Sequence, residues 1–231
     1  MRHNPGCKAC GACCRKGGPV LHREDHALVE EGVLPPTALV TLRAGELVRD
    51  DLRGTLAPLP TEAVKLVGSG RGWSCLYLDA ISNRCSMYAK RPAQCRAQCC
   101  EDDSALAGMY EQGRLTRADV LPLLHPDWLP LAGAHEAECA WARLAPLALR
   151  AHCDVAAGRI LLEAVRFDCA FRELAVERAA VPAEVLLLLF GRPLQALLSD
   201  FGLAPEDGGT RLVRSGFSMY CRGIGGTPCT S

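Results

Sequence analysis

The spacing of apolar residues changes about one hundred residues into the chain. Before that point the apolar segments are short. Three of them have the length of single strands: Leu39–Leu42, 47–49 and 63–67. A fourth, residues 23–31, has the length of a short helix that ends at Gly32. After that point Ala, Leu, Glu and Arg dominate, and these residues favour helices. The pattern predicts an α+β protein in which an irregular domain with short strands precedes an α-helical domain.

The helical part contains one long periodic segment, whose apolar residues recur at intervals of 4, 3, 4 and 3: Ile160, Ala164, Phe167, Phe171 and Leu174. These intervals place the side chains on one face of a helix, and we expect that face to be buried. Residues 183–190 and 192–201 predict two shorter helices separated by Gly191. Pro146 is expected to start or kink a helix rather than lie inside one.

The cysteines are concentrated in the first part of the chain. Nine of the fourteen precede Asp102, and the other five are Cys139, Cys153, Cys169, Cys221 and Cys229. No apolar run follows residues 1–7, so we expect no signal peptide and a cytoplasmic location. In that reducing compartment cysteines serve as metal ligands or catalytic thiols rather than as a disulfide framework.

Charge and hydropathy exclude some classes of partner. Lys plus Arg and Asp plus Glu both number 26, so the 231-residue chain has a formal net charge of zero. A neutral chain has no general attraction for nucleic acid or for an anionic membrane. The longest apolar run, residues 185–190, is too short to span a bilayer. We therefore expect neither nucleic acid nor a membrane as a partner.

The strongest chemical signal is the spacing Cys7-x-x-Cys10-x-x-Cys13-Cys14. Two sulfurs on one zinc ion, each at ~2.3 Å, lie roughly 3.8 Å apart, and a tight turn between residues i and i+3 allows that separation. Gly11 eases such a turn. Three of these cysteines can therefore reach one centre from a single loop. Adjacent side chains generally diverge, so Cys14 serves a second centre, bridges two metals or is a spare redox thiol.

Three later cysteines are the natural partners of this loop. Cys75 and Cys85 are expected on the two arms of a hairpin over residues 74–87, and Cys95 in a short helix opened by Pro92. A centre of four thiolates is anionic, with a charge of about −2 for zinc. Four basic residues close by in sequence are expected to offset that charge: Arg15, Lys16, Arg91 and Arg96. Cys99 and Cys100 extend the cluster.

The segments around these cysteines, residues 7–15, 75–79, 85–88 and 91–96, resemble the bacterial CxxCxxCC family of cysteine-cluster proteins, described as zinc- or iron-chelating. The resemblance covers roughly residues 5–101. It implies metal chelation by seven cysteines: Cys7, Cys10, Cys13, Cys14, Cys75, Cys85 and Cys95. It also gives weight to Asp79, Tyr88 and Arg91. Flagellin lysine methylase carries a similar motif, for which an iron–sulfur cluster is expected, so the cofactor is zinc, iron or a 4Fe–4S cluster.

Other candidate ligands are weaker. His22 and His26 are four residues apart, a spacing that can hold a metal, but we expect them on a solvated helix face. The string Gly-Ser-Gly-Arg-Gly at 68–72 is a weak match to a nucleotide-binding loop and is interpreted as a flexible loop. Three cysteines of the helical part are expected in its core: Cys139, Cys153 and Cys169.

The sequence as a whole predicts three parts. Residues 1–103 form a cysteine-cluster metal-binding domain, residues 104–204 form a helical domain that packs against it or recruits a protein partner, and residues 205–231 form a Gly-rich extension. The expected function is chelation of zinc or iron, including iron in an iron–sulfur cluster. The alternative is an iron–sulfur enzyme with redox or protein-modifying activity, for which no catalytic residue is identified.

Overall fold

The computed structural model describes residues 7–50, 52–70, 72–206 and 211–214. Its helices are α1 (Ala12–Arg15), α2 (His26–Glu30), α3 (Ala93–Ala97), α4 (Ser104–Met109), α5 (Arg117–Leu124), α6 (Trp128–Cys139), α7 (Trp141–Arg150), α8 (Val155–Ala179), α9 (Leu186–Phe190) and α10 (Leu194–Asp200). Its strands are β1 (Leu39–Leu42), β2 (Leu47–Asp50), β3 (Thr55–Pro58), β4 (Ala63–Leu66), β5 (Gly68–Ser69), β6 (Ser74–Cys75), β7 (Leu203–Glu206) and β8 (Arg211–Arg214).

These elements confirm the α+β class, with short antiparallel strands in the N-terminal part and a helical C-terminal region. The predicted strands over 47–49 and 63–67 appear as β2 and β4, each within one residue of its predicted bounds, and β1 matches in full. The predicted helix over 23–31 divides into a 3-10 turn, Arg23–Asp25, and α2.

Two compact units divide the chain. The first comprises residues 1–41 and 63–129, and the second comprises residues 42–62 and 130–231. The units alternate along the sequence because residues 42–62, with the β2–β3 hairpin, group with the later helices. The division into parts at residues 103 and 204 stays a prediction.

The first unit is built on three chain segments joined by backbone hydrogen bonds. Leu21 N donates to Val64 O at 2.8 Å, Val64 N donates to Leu115 O at 2.8 Å, and Leu115 N donates to Leu21 O at 2.9 Å. All three side chains are buried. Burial of apolar surface contributes ~25 cal/mol for each Å² to the free energy of folding. These side chains therefore form an apolar centre that stabilises the first unit, which carries the cysteines.

The predicted hairpin over residues 74–87 forms only in part. Leu78 and Cys85 make an isolated antiparallel bridge, but Cys75 lies in β6, where it pairs with Gly68 of β5. A Cβ on Gly68 would lie 2.5 Å from the carbonyl oxygen of Trp73, so only glycine allows this close approach. The expectation of a flexible loop at 68–72 is therefore wrong for Gly68–Ser69, which forms a strand.

The second unit has a core of apolar side chains from the β2–β3 hairpin, the later helices and β7, including Leu47, Trp141, Leu144, Leu161, Leu197 and Phe201. Within it α7 packs along α8, and α10 packs against β7. Pro146 lies inside α7, contrary to the expectation, and the helix continues through it. The start of the predicted Gly-rich extension forms the β7–β8 hairpin, while Cys221 and Cys229 lie outside the described residues.

Helix α8 has the predicted position but a different buried face. Ile160, Phe167 and Leu174 are 46%, 37% and 52% exposed, so the expectation that the apolar stripe is buried is wrong for them. The buried side chains lie about one residue further along the helix than the predicted apolar stripe, and they include Asp168 and Arg172. A hydrophobic pattern misses this face because its two charged residues are buried by pairing with each other. None of the helices in the described part of the chain is both long and apolar enough to cross a membrane.

A buried polar network joins α6, α8 and the segment that follows α9. Asp168 Oδ1 accepts hydrogen bonds from His135 Nε2 at 2.7 Å and Arg172 Nε at 2.8 Å, and Oδ2 accepts one from Leu194 N at 2.9 Å. Arg172 also donates to the carbonyl oxygens of Phe190 and Gly191. Burial alone would raise the pKa of Asp168, but the His135 hydrogen bond and the Arg172 charge together lower it.

A second buried network ties the β1–β2 connection to the later helices. Glu46 accepts hydrogen bonds from Arg43 N at 3.0 Å and from Arg192 Nε at 3.0 Å. Arg192 also donates to Asp200 at 3.0 Å, and Arg43 donates to the carbonyl oxygen of Cys139 at 3.3 Å. Arg43 and Glu46 are 1% and 0% exposed. Charges buried this deeply are tolerated because each finds partners of opposite charge or polarity.

The first network makes a stability prediction. Asp168→Ala should lower the free energy of unfolding by about 3–5 kcal/mol, because it leaves the buried Arg172 guanidinium without its carboxylate. Glu163→Ala removes an exposed carboxylate from the same helix and is the matched control, with a change of less than ~0.5 kcal/mol. Urea unfolding followed by circular dichroism measures both. Equal destabilisation by the two variants would show that the network contributes nothing beyond helix propensity.

Candidate metal centre

The first four cysteines lie in a loop that closes into a single helical turn. Arg15 N donates to Gly11 O at 3.0 Å, and Cys13 and Cys14 lie within the turn, α1. Gly11 precedes it with φ of +68°. A Cβ at Gly11 would lie 2.6 Å from Asn83 O and 2.9 Å from the Leu78 side chain. The loop can therefore press against the turn at residues 78–85 only because position 11 is glycine.

Arg15 fixes the loop to that turn. Its Nη1 donates to Asn83 Oδ1 at 2.7 Å, and its Nη2 donates to the carbonyl oxygen of Cys10 at 3.0 Å. The turn is itself closed by Asp79, whose Oδ1 accepts hydrogen bonds from Ile81 N, Ser82 N and Ser82 Oγ. The hydrogen bonds from Ser82 are the main reason that the pKa of Asp79 is lowered. This accounts for Asp79, to which the family resemblance gave weight, as the residue that shapes the turn before Cys85.

Helix α3, which carries Cys95, is held by a buried carboxylate. Asp25 is 0% exposed, and its Oδ1 accepts a hydrogen bond from Ala93 N at 2.7 Å while its Oδ2 accepts one from His22 N at 3.0 Å. Arg96 lies 4.0 Å from the same carboxylate. Burial raises the pKa of Asp25, and the hydrogen bonds and the Arg96 charge oppose that rise. His22 and Asp25 form a capping box, which sequence analysis missed because the usual box has Ser or Thr followed three residues later by Glu or Gln.

Five thiols from separate parts of the chain converge at this place. The sulfurs of Cys13 and Cys14 lie 3.9 Å apart, and Cys14 also interacts with the Cys85 thiol. The charges of Cys13, Cys75 and Cys85 all act on Cys95. The expected divergence of adjacent side chains is therefore not seen at Cys13 and Cys14, whose sulfur separation suits two ligands of one ion.

The thiols differ in acidity because of their contacts. The hydrogen bond from Cys14 lowers the pKa of Cys13 to about 6 and that of Cys85 to about 7, and the Arg91 charge acts in the same direction on both. Donating those hydrogen bonds raises the pKa of Cys14. Burial, and then the charges of neighbouring thiolates, raise the pKa of Cys75 and Cys95.

Cys7 joins the group through Arg91 and Tyr88. Arg91 Nη1 lies 3.7 Å from Cys7 Sγ, and its guanidinium carbon lies 3.7 Å above the Tyr88 ring. A hydrogen bond to Cys7 raises the pKa of the Tyr88 hydroxyl. Of the four basic residues expected to offset the cluster's charge, Arg91 is thus in contact with a thiol. Arg96, by contrast, donates to the carbonyl oxygen of Arg91.

In the described part of the chain, no contact brings three of the cysteines into the cluster: Cys10, Cys99 and Cys100. Cys10 is exposed, and it is the carbonyl oxygen of this residue, not the thiol, that accepts the hydrogen bond from Arg15. Cys99 is half-buried and Cys100 is exposed. An exposed ion pair of 3.2 Å joins Lys8, in the first loop, to Glu101, the residue that follows Cys100.

A tighter group of potential ligands lies in the second unit. His135, Cys139 and Asp168 are buried and have ligand atoms within 4.8 Å of one another, and no three thiols of the N-terminal cluster meet that distance among the described residues. We assign the group a structural role, because Asp168 already accepts three hydrogen bonds and the Arg172 cation lies 2.8 Å from it. The i, i+4 spacing of His135 and Cys139 on α6 was the sequence signal for this group.

The weaker candidates have mixed outcomes. His26 is solvated as expected, but His22 is 1% exposed, so a solvated face is wrong for it. Cys139 is buried as expected, whereas Cys153 and Cys169 are exposed. Cys169 follows the buried Asp168 on α8, and the next position of a helix points about 100° away.

The thiol set fits a soft metal, since its donors are sulfur atoms and one sulfur pair already has a suitable separation. Residues 6–112 match the sequence model of the CxxCxxCC family, which is described as a "Putative zinc- or iron-chelating domain". This part of the chain is similar to the CxxCxxCC domain. No curated protein and no solved structure matches the chain. The CxxCxxCC match contains all seven cysteines that the sequence analysis selected, and it extends through α4.

The docking of the loop gives a prediction about metal content. Gly11→Ala should lose most of the bound metal, because the new methyl group would meet Asn83 O and Leu78 and push the loop away. Gly32→Ala is the matched control. Its φ is +69°, so the backbone strain is the same, but a Cβ there meets nothing within 4 Å. Elemental analysis of both purified variants measures the difference, and equal metal in the two would contradict the proposed role of the close approach.

Proposed function

We propose that the CxxCxxCC domain chelates zinc or iron through thiolates, with Cys7, Cys10, Cys13, Cys14, Cys75, Cys85 and Cys95 as the ligand set. The observation that carries the proposal is the convergence of Cys13, Cys14, Cys75, Cys85 and Cys95 from α1, β6, the 78–85 turn and α3. Thiolates are the preferred ligands of zinc and of iron–sulfur clusters.

The charge balance of the cluster supports a cation at this place. Ionised thiols repel one another, and burial adds to the cost of ionising Cys75 and Cys95. Arg91 supplies a single positive charge beside Cys7 and does not balance four or more thiolates. A bound metal supplies the missing positive charge and draws the sulfurs to bonding distance, while release of protons accompanies its binding.

The number of thiols is compatible with two kinds of centre. A tetrahedral zinc or iron ion needs four sulfurs, and so does a 4Fe–4S cluster. The interactions of Cys14 with both Cys13 and Cys85 support the alternative in which its sulfur would be shared by two metals. We propose a cytoplasmic location, where thiols stay reduced. A protein partner for the helical unit and an enzymatic role of an iron–sulfur centre stay predictions.

Metal analysis after anaerobic purification without a chelating tag tests the proposal. We expect zinc or iron at about one or more equivalents per chain. A colourless zinc protein indicates a zinc centre, and a brown protein that contains iron and acid-labile sulfide indicates an iron–sulfur cluster. Absence of both metals would refute chelation by this domain.

Cysteine variants test the ligand set. Cys13→Ser, Cys75→Ser and Cys85→Ser should each lose most of the metal, because a hydroxyl is a poor ligand for soft metals. Cys153→Ser and Cys169→Ser are the controls, since these thiols are exposed and belong to the second unit. They should keep the metal content of the parent protein. If the two classes retain equal amounts of metal, the centre lies elsewhere in the chain.

A further inference from the structure

Helix α8 presents a row of large apolar side chains to solvent, which we call the α8 row. Its members, Ile160, Phe167 and Leu174, are each more than one-third exposed. They follow one another at intervals of nearly two helical turns, so they lie in line on one side of the helix. The row is about 21 Å long at a rise of ~1.5 Å per residue. Single exposed apolar side chains are ordinary, whereas a contiguous set marks an interaction surface.

The middle of the α8 row is ordered by contacts that lead into the core. The Phe167 ring stacks on the Phe171 ring, with the two centroids 5.5 Å apart. Phe171 in turn packs edge-on against the buried Phe190, also at 5.5 Å. A side chain that is held in this way loses little conformational entropy when a partner covers it. The α8 row is therefore a preformed surface.

The spacing of the α8 row is self-complementary. Phe167 lies midway between Ile160 and Leu174 along the helix. When a second copy of α8 lies antiparallel against the first, Ile160 of each copy meets Leu174 of the other, and the two Phe167 rings meet at the two-fold axis. A two-fold interface requires a surface that matches itself in this way, and paired aromatic rings add to its stability.

Charges beside the α8 row favour the antiparallel arrangement. Arg159 and Glu177 are both exposed and are separated by five full turns, so they lie on the same side of the helix. They are about 27 Å apart along the axis, which is too far for an ion pair within one chain. In an antiparallel pair centred on Phe167, Arg159 of each copy lies within about 3 Å, measured along the axis, of the level of Glu177 of the other. A parallel pair would place like charges at the same level.

We propose that α8 forms an antiparallel two-fold interface with α8 of a second copy of this chain. The symmetry of the α8 row and the complementary charges beside it are the reasons for choosing a second copy as the partner. One helix face buries less than the ~1,200–2,000 Å² of a standard interface, so the dimer should be reversible, with a dissociation constant in the micromolar range. The proposal does not rest on the metal centre, which belongs to the first unit.

Sedimentation velocity of the full-length protein, purified anaerobically, measures self-association over ~1–300 µM. We expect the mass to rise from that of one chain toward that of two. Leu174→Gln should weaken the dimer at least about fivefold, because it removes an apolar contact at both ends of the interface. Val176→Gln is the matched control, since Val176 is also exposed but lies on the opposite side of α8 from Phe167, and it should leave the dimer unchanged. If the parent protein stays monomeric over this range, the α8 row serves another partner or none, and the proposal is overturned.

Exchanging the two charges tests the orientation of the helices. Arg159→Glu and Glu177→Arg should each weaken the dimer about fivefold, because like charges then face each other at both ends. An equal mixture of the two variants should recover the parent affinity, because every contact across the interface again joins opposite charges. Fluorescence anisotropy of one labelled variant, titrated with the other, measures this recovery. Glu31→Arg makes the same change of net charge in the first unit and should leave self-association unchanged. Absence of recovery on mixing, or equal weakening by Glu31→Arg, overturns the proposal.

Discussion

Repulsion between thiolates is the constraint on which the first unit depends. Ionising one thiol raises the cost of ionising the next. Burial, and then the charges of Cys13, Cys75 and Cys85, raise the pKa of Cys95. The fold nevertheless brings these groups together, and it does so with contacts that need no metal. The Arg15 bonds, the glycine contact at Gly11 and the buried carboxylate of Asp25 each fix one segment of the cluster.

Because the first unit has an apolar core, the removal of a bound metal should not unfold it completely. The short apolar segments of the sequence gave no reason to expect a core here. The structure joins Leu21, Val64 and Leu115 through backbone hydrogen bonds and buries all three. A metal bound by the thiols would therefore act on a unit that already has an apolar centre. This differs from small zinc modules, whose folding free energy comes almost entirely from the ion.

Sequence reasoning succeeded where a local pattern decides the outcome. The strand at Leu39–Leu42 and the helix after Pro92 both follow from short-range signals. It failed where distant residues decide it. Asp168 and Arg172 change the buried face of α8 because they pair with each other and with His135. Gly68 can pair with Cys75 only because a glycine allows Trp73 to approach so closely. Asp25 was missed because Ala93, the residue of α3 that it holds, lies about seventy residues away.

The buried charges of the second unit restrict how its sequence can change over evolutionary time. Glu46 accepts from both Arg43 and Arg192, and Arg192 also donates to Asp200. Replacing Glu46 therefore takes the carboxylate away from the buried Arg43, and replacing Arg192 takes the guanidinium away from Asp200. A joint replacement of the set by apolar residues of similar volume carries no such penalty. Accepted changes at these positions should therefore arrive in compensating pairs, and homologues should differ at several of them together or at none.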